Sequence, residues 1–180
     1  MLLADPEDIA SVTHLSHDPR TTPEQLAPIA ARLRVNHGLA EEVIAQDPDL
    51  GLGWSFGFRP TTELLKRLGY RVEVFQPAQS FEDIRQNVRR MAVLLGKEER
   101  AENLLREMDA RLAALRQAQG DHENYRPRYV DVGVDNWISG AGSLFSEIVS
   151  AAGLDNVGNE LRNSGSGQTP LESLLLQDVD

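Results

Sequence analysis

The segment GKEERAENLLREMDARLAALRQAQG, residues 96–120, decides how the rest of the chain is read. Its apolar residues Ala101, Leu104, Leu105, Met108, Leu112 and Leu115 recur at steps of three, four and seven, which is the period of one α-helical face. Glutamate and arginine crowd the opposite face, and a glycine bounds each end. At about 1.5 Å per residue such a helix is a rod of roughly 30 Å, the width of a small domain. It reads as a strut between two α/β halves, residues 1–95 as an N-terminal lobe and 121–180 as the first part of a C-terminal one.

Strands and helices alternate on both sides of this strut. Ahead of it, apolar β-rich runs predict strands over 9–13, 49–53 and 70–75, and helical spacing predicts 39–46 and 61–68. TTPEQ places Thr22 and Gln25 as a capping box for a helix that Pro28 keeps short or kinked. Ser80 caps a helix with the stripe Phe81, Ile84, Val88, Met91 and Leu95, and Gly96 stops it. Beyond the strut come a strand over 129–134, the loop DNWISGAG and a helix over 143–152 ended by Gly153. A short strand at Asn156-Val157 and the small-residue loop LRNSGSGQ follow, and Thr169, Pro170 and Glu172 form a second capping box for helix 171–177. This order predicts an α/β fold of two Rossmann-like lobes with mostly parallel sheets joined by one long helix.

The halves resemble each other. EEVIAQDPD (41–49) and ESLLLQDVD (172–180) share a glutamate, apolar residues and a Q-D-x-D ending at matching offsets. The first copy runs into LGLGW, whereas the second reaches residue 180 where its strand is expected. Trp54 lies fifteen residues before Gly69, and Trp137 sixteen before Gly153. Each half therefore reuses the plan strand, tryptophan, glycine-containing loop, helix, glycine. In open parallel sheets a ligand crevice lies beyond the carboxyl ends of the strands. Two facing lobes built this way put one tryptophan on each wall of a cleft, which suits a bulky planar ligand. The plainer reading has each indole packed under its own loop.

Bulk properties narrow the partners. A net charge of −10 argues against nucleic acid. No run of eighteen apolar residues spans a membrane, and the absence of cysteine removes disulfides and thiolate metal sites. MLLADPEDIA has neither the basic start nor the apolar stretch of a signal peptide.

On SVTHLSHDPR, GLAEEVIAQDPDLGLGW, TTELLKRLGYRVEVF, the strut, ISGAGSLFSEIVSAAGLDNV and TPLESLLLQDVD, the chain resembles the helical-backbone class of periplasmic solute-binding proteins. These deliver cobalamin, haem or ferric siderophores to ABC importers. The resemblance implies capture of a metal chelate between the lobes by a monomer with no cofactor and no catalysis, and delivery to permease subunits. Family members begin with one more strand and continue past residue 180, so the chain resembles an internal piece truncated at both ends, which would account for the missing signal peptide. In that family one glutamate per lobe docks onto permease arginines, and Glu41 and Glu172 match those positions. Both also have ordinary explanations, Glu172 in its capping box and Glu41 in a helix first turn. Trp54 and Trp137 match places where cobalamin binders carry aromatics. Leu15, Val35 and Ser166 stand at three others, a departure from the cobalamin pattern. Arg59, on the loop after Trp54, is placed to meet a carboxylate or catecholate of a siderophore, or simply to be solvated.

Other constellations are weaker. His14, His17, His37 and Asp18 suggest a metal site, but no sequence rule brings His37 to the others, and solvated histidines are the ordinary reading. With haem as cargo, a histidine would serve as axial ligand. GAGSLF (140–145) begins like a dinucleotide fingerprint but has Phe145 where glycine or alanine is needed, although its amides remain placed to hold an anion. Gly165-Ser166-Gly167 is not a nucleophile elbow, and the acid pair Glu41-Glu42 reads as helix surface. The alternatives to a carrier are an α/β enzyme with a cofactor in the same crevice and a divalent metal-ion binder using the loop histidines.

Overall fold

The computed structural model describes residues 2–57, 59–119, 126–162 and 164–177. It divides into two compact units, 1–77 with 91–97, and 78–90 with 98–180.

The first unit is built from two parallel strand pairs. β1 (Val12–Thr13) pairs with β2 (Val35–Asn36), Val12 opposite Val35 and Thr13 opposite Asn36. β3 (Gly51–Trp54) pairs with β4 (Val72–Phe75) over its whole length. Strand β1 is shorter than predicted because residues 6–8 turn as a 3-10 helix just ahead of it. Between β1 and β2 lies α1 (Ala27–Ala30), only four residues long and with Pro28 in its first turn. The capping box read at Thr22 does not form, since the helix starts further on and Thr22 Oγ1 donates to the Ser16 carbonyl at 2.8 Å instead. Helix α2 (Ala40–Ile44) follows β2, and α3 (Arg59–Arg67) connects β3 to β4. Gly69 ends α3 with φ of 91°, letting the Tyr70 N–H reach the Leu65 carbonyl at 3.0 Å. Leu3, Ala30, Leu33, Ala40, Leu65, Phe75 and Ala92 form the buried core.

Helix α4 (Phe81–Leu95) starts in the second unit and ends in the first. Its capping is reciprocal, with Asp83 N–H on Ser80 Oγ at 3.0 Å and Gln79 N–H on Asp83 Oδ2 at 2.8 Å. The predicted strut is α5 (Glu98–Ala118), which buries Ala101 and Leu105 and packs against α6 (Leu144–Ala151). Arg85 and Arg89 of α4 pair with Asp109 and Glu102 of α5 at 2.5 and 2.8 Å.

Strand β5 (Arg128–Tyr129) pairs in parallel with β7 (Asp155–Asn156), which follows α6 and packs on it. Gly153 closes α6 as Gly69 closes α3, with φ of 83° and the Leu154 N–H on the Val149 carbonyl at 3.1 Å. The strand predicted over 129–134 ends at Tyr129, and the loop read as DNWISGAG contains β6 (Trp137–Ser139). Asp135 and Asn136 cause the difference. Both take left-handed backbone, φ 56° and 55°, which turns the chain immediately before Trp137. The stretch read as the loop LRNSGSGQ also carries structure. It holds the end of α7 (Gly158–Leu161) and all of β8 (Ser166–Gln168), which pairs antiparallel with β6. Its glycines and serines carry no alternating apolar signal, so only the pairing with β6 defines the strand. Ala101, Leu105, Ile138, Val149, Val157 and Leu174 make the core of this unit. Helix α8 (Leu171–Leu175) ends the described chain and starts at Pro170 without a capping side chain. The capping box expected at Thr169 and Glu172 is therefore missing, and the Thr169 N–H goes to the Asn136 carbonyl at 3.0 Å. The helix predicted over 171–177 ends at Leu175, and residues 178–180 of the repeated motif lie outside the described residues.

Candidate functional site

Trp54 is the last residue of β3, and its indole is 53% exposed. Its edge rests against Phe75, with centroids 6.5 Å and planes 68° apart. Phe56, two residues on, stacks on it at 6.4 Å and 24°, and is more exposed still. Phe56 was not singled out by sequence, because a phenylalanine inside the glycine-containing segment SFGF has no periodic partner to mark it. Arg59 is exposed and opens α3 rather than lying on a loop. Its position follows from the short turn closed by the Arg59 N–H on the Gly57 carbonyl at 2.8 Å.

Leu15 and Val35 lie at the β1–β2 pair. Val35 is half-buried in β2, and Leu15 is exposed in the 3-10 turn 14–17 that follows β1. The parallel register also does what sequence spacing did not suggest. With Thr13 opposite Asn36, the next residues are His14 and His37, and their rings stack with centroids 5.6 Å and planes 19° apart. Buried Asn36 shapes this end of the pair by accepting the Gly38 N–H at 3.1 Å and donating to Ser11 Oγ at 2.9 Å. Thr61 of α3 donates to the Gly38 carbonyl at 2.7 Å, tying the start of α3 to the same end of β2.

In the second unit, Trp137 and Ser166 come together on one ladder. Trp137 faces Gln168, Ile138 faces Gly167 and Ser139 faces Ser166. Ile138 and Gly167 are buried, while Trp137, Ser166 and Gln168 are exposed, so the alternation leaves an aromatic and polar outer face. Ser166 Oγ donates to Ser139 Oγ at 3.0 Å, and Trp137 is held by the Gly133 N–H on its carbonyl at 2.7 Å.

The two glutamates are exposed in the first turns of α2 and α8. Neither carboxylate has a hydrogen bond or ion pair to the described residues. Glu42, the neighbour of Glu41, is committed. Its carboxylate accepts the His37 N–H at 2.6 Å and lies 3.0 Å from His37 Nδ1. These hydrogen bonds, the side-chain one first, hold the Glu42 carboxyl below its ordinary range. With no capping box at α8, Glu172 also loses the local explanation that the sequence offered for it.

The first two amides of GAGSLF are already engaged. The Gly140 N–H is bonded to the Gly165 carbonyl at 2.8 Å and the Ala141 N–H to the Arg162 carbonyl at 3.4 Å. Gly140 is required by packing, since a Cβ there would lie 2.6 Å from the Arg162 carbonyl oxygen. Asp18 is drawn onto Arg20 at 2.6 Å.

The sequence pattern of the periplasmic binding protein family matches residues 1–180. A cobalamin-binding protein of Halobacterium salinarum is 29% identical over 142 residues, covering 78% of this chain and 38% of that relative. The chain thus spans 38% of that relative's length. Among solved structures, a possible iron-binding periplasmic solute-binding protein from Staphylococcus epidermidis superposes with a TM-score of 0.79 at 18% identity, over 97% of this chain and 67% of that one. A periplasmic haem-binding protein from Pseudomonas aeruginosa gives 0.71 at 22% identity, over 92% and 59%. At these identities the structural matches establish the fold, α/β with parallel strand pairs.

Proposed function

We propose that this chain, which belongs to the periplasmic binding protein family along residues 1–180, is part of the substrate-binding component of an ABC importer for a metal chelate. The cargo class is an iron-siderophore, haem or corrinoid. The observation that carries this reading is the pair of tryptophans. Each unit leaves one indole about half in water, Trp54 (53%) as the last residue of β3 and Trp137 (50%) as the first of β6 and not beyond a strand's carboxyl end. Indoles left exposed while a full core is buried nearby are suited to ligand contact. Leu15, Val35 and Ser166 add small or aliphatic contacts, and Arg59 an exposed cation for an acidic chelate.

Glu41 and Glu172 are the docking carboxylates for the permease in this reading. Exposed carboxylates without an internal partner are free to take bidentate bonds from arginine. The protein acts on the periplasmic side as a monomer, and it carries its ligand without transforming it.

The test is a titration of the intact protein with haem, cobalamin and a panel of ferric siderophores, followed by tryptophan fluorescence in wild type, Trp54→Phe and Trp137→Phe. One-to-one saturable quenching by one ligand, reduced in both variants, is the expected result. Silence toward every ligand would return the indoles to a packing role and favour an enzyme that uses the same strand ends.

A further inference from the structure

Two glycines of the second unit leave room for one side chain, and Arg162 fills it. A Cβ on Gly140 would lie 2.7 Å from Arg162 Cβ. One on Gly167 would lie 2.5 Å from Arg162 Cζ and 2.6 and 2.8 Å from its two Nη atoms. The root of the side chain therefore lies against Gly140, and the planar guanidinium against buried Gly167, the middle residue of β8. Nη1 donates to the Gln168 carbonyl at 3.1 Å, which ties the residue after α7 to the last residue of β8. The Arg162 backbone is fixed independently, its N–H donating to the Gly158 carbonyl at 2.9 Å.

Charge pairing does not account for this arginine. It has no carboxylate partner among the described residues, and its Nε is buried there without a hydrogen bond. Fit to the two glycines does account for it. Strand β8 also needs a hold of this kind, because Ser166, Gly167 and Gln168 bring no apolar side chain to bury. A slip of one residue would exchange its inner and outer faces. In the observed register Gly167 points inward opposite Ile138, while Trp137, Ser166 and Gln168 face out. The guanidinium occupies the inner side of Gly167, so a slip would drive the side chain of Ser166 or Gln168 into it.

We propose that Arg162 is the positioning residue of the β6–β8 face: lying in the slot of Gly140 and Gly167, it locks β8 in register and so presets Trp137, Ser166 and Gln168. The lock stands on the geometry alone, and its use for a ligand rests on the carrier reading. A face already set in the free protein binds without a prior ordering step, so loosening it lowers affinity through the association rate.

The experiment follows amide exchange by mass spectrometry in the intact, ligand-free protein. Arg162→Ala and Gly167→Ala are each expected to speed exchange over residues 164–169 about tenfold or more, with α5 and α6 exchanging as in wild type. The double variant is expected to be no faster than Arg162→Ala, because both changes remove one contact. Arg162→Lys, the mildest variant, keeps the charge but lacks the flat fork, and is expected to behave like Arg162→Ala. Wild-type exchange over 164–169 in Arg162→Ala, additive effects in the double variant, or full rescue by lysine would each overturn the lock. Acceleration that extends equally to α5 and α6 would reduce Arg162 to general packing and overturn it too. Haemin and cyanocobalamin then test what the lock serves. Whichever binds wild type is expected to associate about tenfold more slowly with Arg162→Ala and to dissociate at the wild-type rate. Unchanged association would overturn the positioning role. Failure of the carrier reading is separate and shows as silence of the wild type toward haem, cobalamin and every siderophore, whatever the exchange rates do.

Discussion

The indole of Trp54 and the ring of Phe56 stack with centroids 6.4 Å and planes 24° apart, and both are more than half exposed. Their planes run close to parallel, and both rings leave aromatic surface in water. In the carrier reading, Phe56 adds a second exposed ring beside Trp54. Aromatic pairs contribute about 0.5–1.5 kcal/mol beyond burial. Phe56→Ala is therefore expected to weaken chelate binding about three- to tenfold, with little effect on folding because so little of the ring is buried. Wild-type affinity in Phe56→Ala would mean that the pair is ornamental to the ligand.

Glu41 and Glu42 are neighbours with opposite commitments, one without a hydrogen bond or ion pair among the described residues and one bonded twice to His37. If Glu41 and Glu172 dock the permease, alanine at either is expected to weaken the complex with the reconstituted transporter about tenfold or more, since charge-assisted bonds are lost. Chelate binding measured by tryptophan quenching is expected to stay as in wild type. Unchanged transporter affinity in the Glu41→Ala, Glu172→Ala double variant would remove the docking role.

How much of this was legible in the sequence follows from which physical signal each element carries. Helices α4 and α5 were readable because their apolar residues repeat at the helical period and Gly96, with φ of 62°, separates them. The endings at Gly69 and Gly153 were readable because each glycine takes the left-handed conformation that closes a helix. Strand β8 was not, because Ser166, Gly167 and Gln168 have no hydrophobic alternation and their partner Ile138 supplies the burial. The same limit hid the His14–His37 stack, which depends on strand register and not on spacing along the chain. The capping boxes divided on where helices begin. Ser80 sits next to its helix and caps it, whereas Thr22 stands too far ahead and Thr169 spends its N–H on Asn136.

Helices α4 and α5 are joined by a ladder whose acid dependence has a defined sign. The Arg85 guanidinium, hydrogen-bonded to Asp109, and that of Arg89, hydrogen-bonded to Glu102, hold both carboxyls below their ordinary values of 3.8 and 4.5. A carboxyl that titrates lower in the folded chain than in the unfolded one binds fewer protons when folded. Its contribution is thus complete above the ordinary value and disappears as pH falls through the folded value. Asp109→Asn is expected to lower the urea midpoint slightly at pH 7 and to have no effect near pH 2. The loss should be small because these side chains are solvated, and smaller again in high salt. An effect of equal size at both pH values would point to packing instead of charge.

Gly158 offers the sharpest stability test, because its environment contains backbone and not adjustable side chains. A Cβ there would land on the Ser139 carbonyl oxygen and lie 3.0 Å from Asn156 Oδ1. Asn156 is itself buried, accepting the Gly158 N–H at 3.0 Å and donating to the Ser139 carbonyl at 2.9 Å. The alanine therefore has to push β6 and the end of β7 apart, in the layer that also buries Ile138 and Val157 completely. Overpacking of this kind costs typically 1–3 kcal/mol, so Gly158→Ala is expected near the upper end, about 3 kcal/mol. At roughly 2–4 °C per kcal/mol for a chain of this size, thermal unfolding should fall by about 6–12 °C. Gly53→Ala is the control, since its Cβ would meet only Thr62 Oγ1 at 3.5 Å, an ordinary contact. Because β6 carries Trp137, the same displacement should blunt the Trp137 fluorescence response to a chelate well below the melting temperature. A Gly158→Ala protein that melts like Gly53→Ala and quenches like wild type would show that β6 and β7 are not packed as tightly as the Ser139–Asn156–Gly158 hydrogen bonds require.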